Sequence, residues 1–482
     1  PAVRFVSLTR CGASAMTSAL DLHAERVRRD LELLDYPRRE WLVPRKTKKG
    51  EPIYDVIVVG GGQGGLATAF GLMRERVRNL LVIDDNPLDR AGPWLNFARM
   101  RTLRTPKYLT GPDLGIPNLT PRSWYEAQHG QGSFDELGLI PKEIWGAYLA
   151  WYRSTLGIPV RPNTRAGALR YLEDEQAFEV PYQSLAEEGI LHARRVVLAT
   201  GIDGSGYWHI PSSIRDHVPE RLYAHTRWPI DFEALRGKRV AVLGAGASAF
   251  DNAATALESG AREVRMFFRR KKLVTVNAYR WAEFVGFLKH HGDLPDADKW
   301  KFILQILRMG QLPPTDTFRR ANELPGFSMH PSSPWTSLQT RGDVISIETP
   351  NGTYDVDFII VGTGFVTDLK SRPELQHLER FVARWSDRYT PPAGEESEDL
   401  ARHPYLGPSF EFTEREPGTA PYLQHLYNYT FGCLLSLGFG GASISGMKYS
   451  NQRLVSGITR SFFVEDRAAH LESLYRFEEK EF

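Results

Sequence analysis

Cysteine is scarce in this chain, whose 482 residues include only Cys11 and Cys433. Two cysteines allow at most one disulfide, so the chain is not a disulfide-stapled scaffold, and the low count is typical of a reducing cytoplasm. The pair is far apart in sequence and forms no CxxC motif. This excludes a dithiol–disulfide reductase, because that chemistry needs two neighbouring thiols.

Net charge and long apolar runs are also nearly absent. Lys and Arg number 60 against 58 Asp and Glu, which gives no electrostatic reason to expect nucleic acid as a partner. Residues 426–447 are uncharged but contain five glycines, so we interpret them as close-packed buried backbone and expect no membrane span. The histidines and cysteines show no metal-ligand spacing, and we expect no metal site.

A glycine motif follows the apolar run 53–59, which predicts a buried parallel strand. Gly60, Gly62 and Gly65 meet the pattern G-x-G-x-x-G and lead into a predicted helix over 66–74. The first glycine allows a tight turn, the second lets a pyrophosphate approach the backbone, and the third lets helix and strand pack closely.

An acidic residue stands at the offset that a dinucleotide site requires. The next predicted strand, 79–83, ends at Asp84. An acid about 20 residues past the glycines can accept hydrogen bonds from ribose hydroxyls. Strand, glycine turn, helix, strand and acid together are far more specific than the glycine spacing alone, and they predict a dinucleotide site.

The same pattern occurs a second time. A strand over 239–243 precedes Gly244, Gly246 and Ala249, a G-x-G-x-x-A match, and a further strand follows over 263–268. This second unit again predicts a helix whose N-terminus holds a pyrophosphate.

The second unit differs from the first at the sugar position. Arg269 and Arg270 replace the acid, and arginine suits a 2′-phosphate, so NADP is favoured over NAD. The alternative is a solvated basic turn. Two sites of different sugar chemistry imply FAD together with NADPH, with hydride passing from the second cofactor to the first.

Two other apolar strands end in glycine-containing turns. One leads to Thr200 and Gly201, and the other leads to Gly364 and Phe365. Such turns let the backbone pass close to a bound cofactor or the other domain, although each alone is also compatible with an ordinary strand end.

These motifs, in this order over about residues 53–460, resemble the class B flavoprotein monooxygenases. That family includes flavin-containing, N-hydroxylating and Baeyer–Villiger monooxygenases. Its G-G-x-W motif appears here as Ala91-Gly92-Pro93-Trp94, with one glycine lost. The resemblance implies that Gly92 and Trp94 help to hold FAD.

The resemblance also implies three candidate catalytic residues. His225 occupies the histidine position of the family's F-x-G-x-x-x-H motif, although Pro219 and Arg221 replace its Phe and Gly. Lys107 matches a lysine of the N-hydroxylating branch, which would pair with an anionic substrate group, and Asn277 matches that branch's active-site asparagine. For each residue the alternative is a satisfied polar side chain at a domain seam.

The function implied by the resemblance is an NADPH- and O2-dependent FAD monooxygenase. It would oxygenate a small molecule, by N- or S-oxygenation or hydroxylation, through a C4a-(hydro)peroxyflavin. The alternatives are a Baeyer–Villiger enzyme acting on a ketone, an NADPH-dependent flavin reductase that feeds a protein partner, and a nucleotide-binding redox sensor.

We therefore expect an α/β protein with two doubly wound, Rossmann-like domains. The FAD domain is expected to be discontinuous, over 53–222 and 346–482, with the NADP domain inserted over 223–345. Within the insert, residues 281–340 are rich in Trp and Phe and are expected to line a substrate channel. Residues 1–52 are expected to form a solvated helical extension, with docking to a membrane surface or to a partner, such as a second copy of the chain, as the alternative.

Overall fold

The computed structural model describes residues 11–34, 39–109 and 111–482, with side chains from Ala19 onward. Its strands, in chain order, are β1 (Arg45–Lys46), β2 (Pro52–Val59), β3 (Leu80–Ile83), β4 (Val160–Arg161), β5 (Thr164–Ala166), β6 (Arg170–Leu172), β7 (Ala177–Ser184), β8 (Glu188–Leu198), β9 (Gly206–Trp208), β10 (Tyr223–His225), β11 (Arg239–Leu243), β12 (Glu263–Phe267), β13 (Phe327–His330), β14 (Ser337–Arg341), β15 (Val344–Thr349), β16 (Gly352–Val356), β17 (Phe358–Val361), β18 (Phe365–Thr367) and β19 (Leu426–Asn428).

The described residues also form α-helices. In chain order they are α1 (Cys11–Leu33), α2 (Gln63–Arg74), α3 (Pro121–His129), α4 (Ser133–Glu136), α5 (Lys142–Thr155), α6 (Ser212–Arg215), α7 (Ala247–Glu258), α8 (Ala278–Trp281), α9 (Val285–His290), α10 (Asp296–Met309), α11 (Thr315–Asn322), α12 (Glu398–Ala401), α13 (Leu434–Leu437), α14 (Ile444–Glu465) and α15 (Arg467–Tyr475).

The first sheet has a parallel centre in the order β4-β3-β2-β8, with β19 parallel to β8 on the other side. Strands β5, β6 and β7 extend it as an antiparallel meander beside β8. Strand β2 is buried along most of its length, as expected where helices cover both faces of a parallel sheet. The predicted strand–helix–strand unit is present as β2, α2 and β3.

The second sheet is parallel throughout, in the order β10-β17-β11-β12-β13. Two doubly wound units are therefore present, and the predicted α/β class is confirmed. The boundary predicted at residue 345 is too early, because β17 bonds to β10 and β11 and so extends this sheet to Val361. Strands β14, β15 and β16 form a separate antiparallel sheet between β13 and β17 in the chain.

Helix α1 packs on the first unit, which corrects the expectation of a solvated extension. Val27 is fully buried in the main core. The His23 ring stacks on Trp151 with 5.4 Å between centroids, and the Asp30 carboxylate accepts a 2.9 Å hydrogen bond from the Asn118 side chain. Docking of a second copy through α1 stays a prediction, and the buried face of the helix is not available for it.

Helices α8, α9 and α10, here called the helical insert, contact the first unit as well as following the second sheet's β12 in the chain. Helices α8, α9 and α10 share a core with the C-terminal part of the chain, where Trp300 lies 6.1 Å from Trp385 and Tyr279 stacks on Phe439 at 5.5 Å. This core places the insert beside the glycine-rich turn that precedes α14. The substrate channel over residues 281–340 stays a prediction.

The uncharged run 426–447 folds as β19, α13 and a buried glycine-rich turn leading into α14. Within the described ranges, no helix combines the length and the apolar character needed to cross a membrane.

An ionic cluster ties the end of α14 to β8. Arg194 and Arg195 are fully buried; Arg194 donates to Asp466 at 2.7 Å, and Arg195 donates to Glu465 at 2.5 Å. Arg45 from β1 pairs with both carboxylates. Burial alone would raise the pKa of Glu465, but Arg195 and Arg194 outweigh that effect and lower it to about 2.

Replacing Glu465 by Gln should lower the free energy of unfolding by about 3–5 kcal/mol near neutral pH, because it leaves a buried arginine without its partner. A carboxylate with a lowered pKa stabilises the fold above its ordinary value of 4.5 and loses this contribution as the pH falls toward about 2. The difference between wild type and variant should therefore shrink through that range, as measured by denaturant unfolding at several pH values.

The matched control is Glu472→Gln, which breaks an exposed pair between Glu472 on α15 and Arg476 just after it. That change should cost less than about 1 kcal/mol. Equal losses in the two variants would show that the buried cluster does not stabilise the fold in this way.

Candidate active site

The first glycine turn is shaped by the close approach of backbone to backbone. Gly60 has φ +110°, and a side-chain carbon there would lie 2.5 Å from the Ala199 carbonyl oxygen. A side chain on Gly65 would overlap the Gly60 carbonyl oxygen. Gly62 caps α2 with φ −72°, and the atom nearest to a side chain there is the Gly92 Cα at 3.8 Å. Open space therefore adjoins the N-terminus of α2, where a pyrophosphate would bind.

Asp84 is buried beside this turn. Its carboxylate accepts a 2.5 Å hydrogen bond from the Gly61 amide and a 2.8 Å hydrogen bond from the Asn86 amide. Burial raises the pKa of Asp84, and these hydrogen bonds lower it in part. The side chain thus holds the glycine turn in place, while its contact with a ribose stays a prediction.

Buried polar groups without partners surround the same turn. In the described part of the chain, the Trp94 indole nitrogen and the Thr200 hydroxyl have no hydrogen-bond partner. The Trp94 nitrogen would lie 3.6 Å from a Cβ on Gly92. Gly92 and Gly201 both have positive φ. Because an unpaired buried donor is costly, these groups and the open glycine turn fit a bound dinucleotide such as FAD.

The second glycine turn repeats the geometry of the first. Gly244 has φ +112°, and a side chain there would overlap the Gly362 carbonyl oxygen. Gly246 caps α7 with φ −78° and has open space around it. Ala249 can occupy the third position because its methyl group faces Gly362, which has no side chain. A Cβ on residue 362 would lie only 2.9 Å from the Ala249 Cβ. This turn also fits a dinucleotide.

The two predicted arginines lie just past β12, and both are exposed. Arg270 donates to the Met309 and Arg308 carbonyls at 3.1 and 3.3 Å, at the end of α10. It lines an open cavity of about 340 Å³ to which Lys272 and Arg308 also contribute. Arg269 does not line that cavity. A cavity lined by three cations fits a phosphate group.

His225 is buried at the seam between the two units. One ring nitrogen, Nε2, lies 3.1 Å from the Gly364 carbonyl, and the other, Nδ1, accepts a 3.1 Å hydrogen bond from the Arg227 amide. Burial lowers the pKa of His225 to about 4, so the ring is neutral and Nε2 donates. Both nitrogens are engaged within the protein, which fits a positioning residue; a catalytic role stays a prediction.

Other seam residues were missed by the sequence reasoning. Arg227 donates to both carboxylate oxygens of Asp203 at 2.8–3.1 Å. Arg99 donates to the Thr226 and Trp228 carbonyls at 2.6 and 2.7 Å. The Arg99 contacts join the segment after Trp94 to the start of the second unit, and the Arg227–Asp203 pair joins the turn after β8 to it. No local motif predicts either contact.

Lys107 and Asn277 are engaged elsewhere. The Lys107 ammonium donates to the Phe134 and Asp135 carbonyls at 2.7 and 2.8 Å. Asn277 is exposed, and its side-chain oxygen accepts from two backbone amides in the first turn of α8, so it caps that helix. These contacts favour the structural alternative for both residues, and their catalytic roles stay predictions.

Glu283, between α8 and α9, was not predicted. One carboxylate oxygen accepts a 3.4 Å hydrogen bond from the Ser445 hydroxyl at the start of α14. Only the tertiary contact between the insert and α14 singles out this residue among the many acids of the chain.

Comparison with known proteins agrees with this site. The family model of the pyridine nucleotide-disulphide oxidoreductases matches residues 54–286, a stretch that includes both glycine turns. An FAD-dependent urate hydroxylase from Xanthomonas campestris pv. campestris is 43% identical over 453 residues, which is 94% of this chain and 95% of the relative. This chain belongs to the class B flavoprotein monooxygenases. The predicted family and the prediction of an FAD-dependent monooxygenase are thereby confirmed.

Solved structures of this class share the fold. The ornithine hydroxylase of Pseudomonas aeruginosa superposes with a TM-score of 0.65 at 15% identity, covering 85% of this chain and 99% of that one. The L-lysine 6-monooxygenase of Pseudomonas syringae gives a TM-score of 0.65 at 16% identity, with the same coverage of 85% and 99%.

The disulphide chemistry in the name of the matching family model does not extend to this monooxygenase. Cys433 is buried, and burial raises the pKa of its thiol to about 12. The sequence supplies no neighbouring cysteine for a redox pair.

Replacing Gly62 by Val should give a folded but colourless protein. Its negative φ admits valine without left-handed strain, but the branched side chain would occupy the space for the pyrophosphate. Gly246→Val is the matched control, because that glycine has nearly the same conformation at the N-terminus of α7. It should retain its flavin. The FAD content of each purified variant, read from visible absorbance, measures the difference; a fully loaded Gly62→Val protein would contradict the assignment.

Proposed function

We propose that this monooxygenase hydroxylates urate or a closely related oxidised purine, with NADPH as reductant and O2 as the oxygen source. The observation that carries the proposal is the 43% identity to the urate hydroxylase, which extends over nearly the whole of both chains. It favours hydroxylation over the ketone oxidation and the electron transfer to a protein partner that the motifs alone leave open. When bound, FAD supplies the redox chemistry.

The first unit would hold the cofactor through its glycine turn. The amides at the start of α2 would bind the pyrophosphate beside Gly62, and the unpartnered Trp94 and Thr200 groups would find acceptors there. Asp84 keeps the turn in its binding shape through the Gly61 amide.

Support for NADPH comes from the cavity at the end of β12. Arg270 and Lys272 line it from the loop after β12, and Arg308 lines it from α10. Residues 269–272 include no acid to favour a free ribose hydroxyl. A planar guanidinium matches the geometry of a phosphate. The amides at the start of α7, beside Gly246, would bind the pyrophosphate of this second dinucleotide.

A row of aromatic rings crosses the seam and would exclude water. The ring centroids are 6.4 Å apart for Phe97 and Trp208 and 5.7 Å apart for Trp208 and Phe365. Those of Phe365 and Phe431 are 4.9 Å apart. Apolar walls at this seam would protect a reactive site from water, as oxygen insertion requires. A cytoplasmic location is part of the proposal and rests on the low cysteine count.

The proposal is tested with FAD-loaded enzyme, NADPH and urate in air. Urate should disappear in a one-to-one ratio with the NADPH consumed, and Gly246→Val should retain FAD but show neither reaction. Consumption of NADPH that is unchanged by urate, with the urate left intact, would contradict the proposed substrate.

Coenzyme preference gives a second test. A charge-assisted hydrogen bond to phosphate contributes about 1.5–3 kcal/mol, so Arg270→Ala should raise the KM for NADPH by roughly 10- to 150-fold and leave the KM for NADH nearly unchanged. Arg341→Ala, a change at an exposed arginine of β14, is the control and should alter neither value. Equal use of both coenzymes by the wild type would refute the assignment of the cavity.

A further inference from the structure

One carboxylate oxygen in the helical insert lacks a partner. Glu283 Oε1 accepts from Ser445 at 3.4 Å, whereas Oε2 is shielded from solvent and has no hydrogen-bond partner in the described part of the chain. A buried acceptor without a donor costs free energy, and such a group in a native structure needs an explanation. Burial raises the pKa of Glu283, although Ser445 and Arg280 lower it in part.

Glu283 is close to the part of the chain that would hold the cofactor. Ser445 is in the first turn of α14, directly after the glycine-rich turn. That turn also touches the start of α2, because a side chain on Gly64 would lie 2.8 Å from the Gly441 carbonyl oxygen. One short segment thus contacts both the glycine turn for FAD and the unsatisfied carboxylate.

Three aromatic residues, Tyr279, Trp281 and Phe284, lie within four positions of Glu283 in sequence. Tyr279 stacks on Phe439 at 5.5 Å beside the glycine-rich turn. Trp281 and Phe284, on either side of Glu283 in sequence, are 54% and 48% exposed. Flat apolar groups with a single strong acceptor suit a planar heterocycle that carries ring N–H groups, since the rings cover its faces and the carboxylate takes a proton donor from its edge.

We propose that Glu283 is a substrate-binding residue whose Oε2 accepts a hydrogen bond from a ring N–H of the planar substrate. The inference rests on the proposed function and specifies within it the residue that selects the substrate. A carboxylate in this place discriminates strongly, because a ligand without the matching N–H leaves the charge unpaired.

The test measures the Kd of urate for the FAD-loaded enzyme without NADPH, from the change in flavin absorbance. Glu283→Ala should weaken binding by about 10- to 100-fold, as expected for the loss of a charge-assisted hydrogen bond. Glu283→Gln keeps the shape and one acceptor, so it should weaken binding less, and it provides the measurement if the alanine variant does not fold.

Singly N-methylated urates identify the contact. The isomer that lacks the N–H bound by Glu283 should bind weakly to wild type and should lose little further affinity in Glu283→Ala, whereas the other isomers should lose affinity as urate does. This non-additivity separates a direct contact from a general loosening of the site.

Two controls complete the design. Glu323→Gln, at an exposed acid just after α11, should bind urate as wild type does. Ser445→Ala removes the hydrogen bond that Ser445 donates to Glu283 and should have a smaller effect than Glu283→Ala. Unchanged urate binding in Glu283→Ala would overturn this inference alone, whereas a wild type that neither binds nor consumes urate would overturn the proposed function and this inference with it.

Discussion

Two pairs of strand ends meet with no side chain between them, and the rest of the site depends on these contacts. Strands β2 and β8 end side by side, so Gly60 faces the Ala199 carbonyl. Strands β11 and β17 do the same, so Gly244 faces the Gly362 carbonyl. Because residues 60 and 244 carry no side chain, the following helix can start close to the strand and leave its first amides free for an anion.

The two units are fixed to each other by polar contacts at their seam and by the insert. Arg227, just after β10, pairs with Asp203, just after β8, and His225 contacts the carbonyl of Gly364, which lies 139 positions further along the chain. Helices α8 to α10 share a core with the C-terminal part of the first unit. The insert belongs to the second unit in sequence, yet it packs against the glycine-rich segment that touches the first glycine turn.

Local patterns in the sequence predicted most of the scaffold. Glycine spacing, apolar strand runs and helix periodicity are properties of a few adjacent residues, and β2, α2 and β11 appear close to where these patterns place them. The end of the second unit could not be read in this way, because a buried strand such as β17 looks the same whichever sheet it joins.

The candidate side chains were less predictable, because their roles are set by partners distant in sequence. Asn277 suits both a helix cap and an active site, and its contacts are those of a cap. The Lys107 ammonium binds carbonyls of α4 that no motif places near it. Glu283 has no local signature at all, and it becomes a candidate only through its contact with Ser445.

The central claim is that this chain inserts one atom of O2 into its substrate. The most direct measurement is the reaction of the FAD-loaded enzyme with NADPH and urate under isotopically heavy O2 in ordinary water, with mass analysis of the earliest product. A single heavy oxygen atom in the product is the expected result. A product whose new oxygen comes from water, or heavy oxygen found only in hydrogen peroxide, would contradict the claim.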